Sequence, residues 1–138
     1  MITESQPLVE AIGKGILRAA PESAWAFMEL QLTAAGRMLE SGLAVIANDG
    51  SLDQAVEIDD DTEDACVALR KAMYQPGTGT WYNAQFKVTP EGAIEADFDY
   101  DTPPFPGEEV ADLLQQDQER FPRDQEHLPN WHPSKAAG

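Results

Sequence analysis

Residues 80–101, TWYNAQFKVTPEGAIEADFDYD, decide the fold. Two apolar and polar alternating runs flank TPEG, which suits a type I turn with Gly92 in the left-handed position of a three-residue connection. That connection pairs Thr89 with Ala93, and then Lys87 with Glu95, Gln85 with Asp97, Asn83 with Asp99 and Trp81 with Asp101. The other face pairs Val88 with Ile94, Phe86 with Ala96, Ala84 with Phe98 and Tyr82 with Tyr100. One register makes one face apolar and the other polar throughout, and that consistency specifies the register. The polar face carries Glu95, Asp97, Asp99 and Asp101 at every second position, a row of carboxylates about 7 Å apart.

Working outward, the chain before the hairpin alternates helix and strand signals. Leu8, Ile12, Ile16 and Ala19 fall at helical spacing between Glu4 and Ala20, with Thr3 and Gln6 resembling a capping box and Pro21 ending the run. Gly13 and Gly15 within that helix imply close packing on the sheet. Residues 24–33 alternate as a strand with one buried face, and the turn signals AAGR and NDGS divide residues 24–58 into three antiparallel strands, the third around Ala55 to Ile58. A second helix begins at DDDTED, with Asp61 or Thr62 as cap, and stops at QPGTG. After the hairpin, Val110, Leu113 and Leu114 form the inward face of a third helix with its acids outward, ending near residues 120–123. The expected architecture is α+β, a single antiparallel sheet of about five strands with helices packed on one face, in the order α-β-β-β-α-β-β-α. A chain of 138 residues has the size of one domain, with a loosely ordered tail expected from about residue 124.

The charge is lopsided, 25 acids against 9 bases for a net −16. Between Lys87 and Arg120 there is no basic residue, while ten acids fall there, including Glu108, Glu109 and Asp112. DNA, RNA and anionic membranes are poor partners for such a chain, because their attraction is largely to cations. Cys66 is the only cysteine, so no internal disulfide is possible. With no basic n-region, no long apolar run and no disulfide, the expected location is the cytoplasm.

Chemistry-bearing motifs are absent. The acids do not converge as calcium loops require, and one cysteine with the separated His127 and His132 makes no recognised zinc set, so neither metal nor cofactor is expected. There is no glycine-rich phosphate loop, nucleophile elbow or Cys–His signature, so no catalytic residue is assigned and the protein is expected not to be an enzyme. A solvated sheet face would explain the acidic row by itself. The lack of any base over the following helix favours a binding surface, since a strong single-sign field serves steering better than stability.

Residues 73–104 and 121–132 together resemble the YezG-like antitoxin or immunity proteins of bacterial polymorphic toxin systems. The resemblance lies in Gly79-Thr80-Trp81 opening the hairpin, Gly92 in its turn, the aromatic and acidic run from Asp97 to Asp101, Phe121-Pro122-Arg123, and Pro129-Asn130-Trp131. It is good over about residues 65–131, and over the first half it extends only to the order of elements. The resemblance implies a non-catalytic cytoplasmic protein that neutralises a cognate toxin domain, often a nuclease and in related systems NAD-degrading or deaminating. The expected contact surface comprises Glu95, Asp97, Asp99 and Asp101, extended by Glu108, Glu109 and Asp112, with Trp131 as a further candidate. The alternative is a small acidic ligand-binding domain or enzyme with a pocket behind the hairpin, lined by Trp25 and Phe27.

Overall fold

The computed structural model describes residues 5–105 and 110–136. Along the chain run α1 (Ser5–Arg18), β1 (Phe27–Ala35), β2 (Met38–Ile46), β3 (Leu52–Asp53), α2 (Asp60–Ala72), β4 (Asn83–Val88), β5 (Ile94–Asp99) and α3 (Ala111–Arg120), followed by a short 3-10 turn at Gln125–His127. The fold is α+β, with an antiparallel five-strand sheet in spatial order β3-β2-β1-β4-β5. The β4–β5 hairpin has the register read from the sequence, from Val88 opposite Ile94 to Asn83 opposite Asp99. Gly92 takes φ +91 in its turn, where a Cβ would be strained.

Alternation on β1 and β4 turns Met28, Leu30, Leu32, Ala84, Phe86 and Val88 to one face, where they bury against Ile12 and Ile16 of α1 and Cys66 and Leu69 of α2. Burying each of the larger side chains contributes about 1.5–3 kcal/mol. The two helix glycines permit close approach in different directions. A Cβ on Gly13 would collide with Ile94 of the sheet, whereas one on Gly15 would collide with Thr62 of α2 rather than with a strand.

At the open end of the hairpin the alternation breaks. The N–H of Tyr82 donates to the carbonyl of Asp99, the residue already opposite Asn83, so two residues of one strand face one of the other. That is the arrangement of a β-bulge, and it reverses which face each preceding side chain meets. Trp81, expected on the polar face opposite Asp101, is instead fully buried in the main core against Phe98. Tyr82 passes to the opposite face, where it joins Ala35, Phe105 and Leu114 in a second, smaller core.

This second core seats the C-terminal segment. The stretch after residue 124, expected as a loose tail, is packed: Leu128 and His132 are buried, and the Trp131 ring meets Tyr82 edge-on at 5.3 Å. Two buried arginines fasten it. Arg70 of α2 donates through Nη2 to Asp117 of α3 at 3.0 Å and through Nε to the Trp81 carbonyl at 2.7 Å, while Asp117 also accepts the N–H of Gly36 at 2.9 Å. Asp117, expected to face outward with the other acids of α3, is therefore an internal counter-charge. Arg123 lies 4.5 Å over Tyr82 and donates to the carbonyls of Thr80, Tyr100 and His127.

Other departures are local. The third strand is two residues at Leu52–Asp53, and Ala55 to Ile58 form no strand. The cap of α2 is Asp59 rather than Asp61 or Thr62, because its carboxylate accepts the Thr62 N–H at 2.8 Å and pairs with Arg18 at 3.1 Å. Thr3 of the expected capping box lies outside the described residues.

Candidate functional site

α1 and α2 lie on the apolar face, but α3, expected on that same face, packs through Leu114 against Ala35 and Tyr82 on the opposite one; among the described residues the rest of that face is left open. Its composition follows from two ladders. Glu29 faces Lys87, which faces Glu95; Gln31 faces Gln85, which faces Asp97; Thr33 faces Asn83, which faces Asp99. On the far side β2 continues these rows with Ala44, Gly42 and Glu40. The result is a floor of amides and hydroxyl groups with three carboxylates along the β5 side and Glu40 on the β2 side.

The middle of this floor is a depression of about 620 Å³, lined among others by Gln31, Thr33, Glu40, Gln85, Asp97 and Asp99. Gly42 contributes to its depth, since a Cβ there would meet nothing within 4 Å. Trp25 and Phe27, the expected lining of a pocket behind the hairpin, do not line it. Phe27 instead carries the Lys87 amine 4.5 Å over its ring. The ion pairs among the described residues, Arg18–Asp59 and Arg70–Asp117, lie elsewhere, so none neutralises the acids of this face.

The sequence-derived candidates fall into three groups. Glu95 and Asp97 are exposed and Asp99 is half-buried, and all three share the open face. Asp101 lies beyond the end of β5, where its N–H and that of Thr102 donate to Asp99 at 2.9 and 3.0 Å. Hydrogen bonding from Thr102 and from the backbone of Asp101 holds the Asp99 carboxyl below the usual range, which keeps it an anion. Asp112 is exposed in the first turn of α3, a separate element, and Glu108 and Glu109 lie outside the described residues. Trp131 is committed internally, since its ring packs on Tyr82 and its indole N–H donates to the Asp101 carbonyl at 2.7 Å.

Of the motifs that carried the resemblance, Gly79-Thr80-Trp81, Phe121-Pro122-Arg123 and Pro129-Asn130-Trp131 converge on the fastening of the tail, whereas Asp97 and Asp99 stand on the open face. Gly79, at φ +82, lies against the Arg123 side chain, whose Nε would sit 2.5 Å from an added Cβ. Arg123 then links Thr80, Tyr100 and His127, while Trp131 links Tyr82 and Asp101. These residues hold the fold together and leave the chemistry of the open face to others. Gln31, Thr33 and Glu40 of that face were missed, because their position depends on β1 pairing with β4 across some fifty intervening residues, which no local pattern announces.

Elsewhere, Asp124, Glu126 and His127 bring three ligand atoms within 4.8 Å of one another on the exposed 3-10 turn, a grouping the spacing of the histidines did not suggest. Cys66 is buried, which pushes its thiol up to about 12 and leaves it unreactive at neutral pH. Among the described residues no helix is long and apolar enough to cross a membrane. In comparisons with known proteins, no family model and no curated protein matches the chain.

Proposed function

We propose that this chain is an immunity protein that binds a toxin domain through the open face of its sheet and blocks a basic, substrate-binding cleft. The observation that carries the reading is the face itself: Glu29, Glu40, Glu95, Asp97 and Asp99 around an amide floor, with Lys87 as its cation and, among the described residues, no ion pair to offset the rest. Such a surface attracts a cationic partner and repels nucleic acid. The resemblance of residues 65–131 to YezG-like antitoxins supplies the class of partner, a toxin domain made by the same cell. The chain has no catalytic role in this reading and acts in the cytoplasm, where the toxin would otherwise act.

The test is co-expression with the C-terminal domain of a large secreted protein encoded beside it. Cells should survive with the wild-type chain, and the purified pair should co-migrate. Survival that does not depend on this chain would overturn the assignment.

A further inference from the structure

We infer that the partner contributes an extended segment, basic on one face and apolar on the other, which adds to the free edge of β5 as a sixth strand. The inference rests on the reading of the acidic face as the contact surface and adds to it a mode of attachment. In the β4–β5 ladder the bonded pairs are fixed by Thr89, whose N–H donates to Ala93. Counting from there, Glu95, Asp97 and Asp99 direct their backbone groups into β4, and Ile94, Ala96 and Phe98 direct theirs outward. Beyond β5 no further strand follows, and no backbone hydrogen bond reaches its outer edge among the described residues. At the other side of the sheet β3 covers only Val45 and Ile46 of β2, and the rest of that edge carries Glu40 as its one acid, so the six-residue β5 edge is the one lined by a row of carboxylates.

The side chains along the edge determine what can add. On the polar face stand Glu95, Asp97 and Asp99; on the other, Ile94, Ala96 and Phe98 are half-buried against the main core and leave an apolar ledge. A second copy of the chain is a poor fit. In any antiparallel register that joins two such edges through their outward groups, odd-numbered positions face odd-numbered positions, so acids meet acids. A strand with Lys or Arg at alternate positions and apolar residues between them matches both faces and satisfies the free backbone groups.

The probe is a capped seven-residue peptide alternating Lys and Val, with an alternating Glu and Val peptide as control, and the readout is amide exchange in the full chain. The Lys peptide should slow exchange at Ala96 and Phe98 at least tenfold and leave Glu95 and Asp97, already bonded to β4, unchanged. Asp97→Asn should weaken it several-fold. Ala96→Pro removes the outward N–H, while also fixing φ at that position, and should abolish binding; a Lys peptide N-methylated on its edge-facing residues should fail equally and requires no change to the chain. Binding that leaves Ala96 and Phe98 unprotected overturns strand addition while leaving the acidic face as a contact surface. Equal binding of the Glu peptide overturns both. Protection that rises with protein concentration alone assigns the edge to a second copy, and no binding of the Lys peptide at low salt also overturns the inference.

Discussion

Asp97 and Asp99 stand two residues apart on one strand and do different work. The Asp97 side chain is exposed and makes no hydrogen bond or ion pair among the described residues, whereas that of Asp99 accepts from two backbone N–H groups and closes the turn after β5. Asp97→Asn should therefore leave stability within about 0.5 kcal/mol, as for a surface change away from such features. Asp99→Asn should cost about 0.5–1.5 kcal/mol, because a neutral amide oxygen accepts those hydrogen bonds less strongly than a carboxylate. Urea unfolding of both variants checks this, and equal midpoints would remove the distinction. His132 is the corresponding case for pH. Burial, and secondarily Arg123, pushes its imidazole below the usual value, with Asp117 and the Leu114 backbone opposing. The unfolded chain takes up a proton below about 6.5 while the folded chain resists it, so the unfolded state binds more protons in that window. Stability should be complete above about 6.5 and decline as pH falls towards the lower folded value. His132→Gln should flatten that part of the stability profile, and an unchanged slope would show that His132 does not titrate with folding.

At the scale of elements, what the sequence made legible was whatever depended on near neighbours. The β4–β5 hairpin could be read residue by residue because its turn and alternation agree, and Phe86 sits fully buried where that register puts it. Phe98, on the edge strand, is half-buried, so the two phenylalanines should separate in experiment. Phe86→Ala should cost about 3–5 kcal/mol, and Phe98→Ala clearly less, since its ring loses less burial. Comparable losses would mean that β5 is more enclosed than its exposure indicates. What could not be read were the places where distant segments impose their own terms. Trp81 departs from alternation because the bulge turns it inward. Asp117 sits inside a helix face that looks solvated, and only the proximity of Arg70, 47 positions earlier, gives it a buried partner. The third strand failed for a local reason: the Asp53 carboxylate accepts the Ala55 N–H at 2.9 Å, a turn that takes Ala55 to Ile58 off the ladder with β2. The acidic half of the open face was legible from the hairpin alone; its amide floor required the sheet order.

For the whole molecule, a net charge of −16 and a local acidic face make separable predictions about association. Charge spread over the surface steers encounter and is screened within a Debye length, about 8 Å at physiological salt. Charge at the contact acts after encounter, because a cation desolvated against a missing carboxylate raises the dissociation rate. Asp64 on α2 and Asp97 on β5 are both exposed, one on the helical layer and one on the open face, and changing either to asparagine removes the same single charge. With the toxin domain as partner, the wild-type association rate should fall about tenfold or more between low and high salt. Asp64→Asn should lower that rate slightly and leave dissociation unchanged. Asp97→Asn should produce the same small loss in association together with a several-fold faster dissociation, because only this residue lies in the proposed contact. If the two variants behave alike in dissociation, the negative field serves encounter alone, and the contact must lie away from the β5 face.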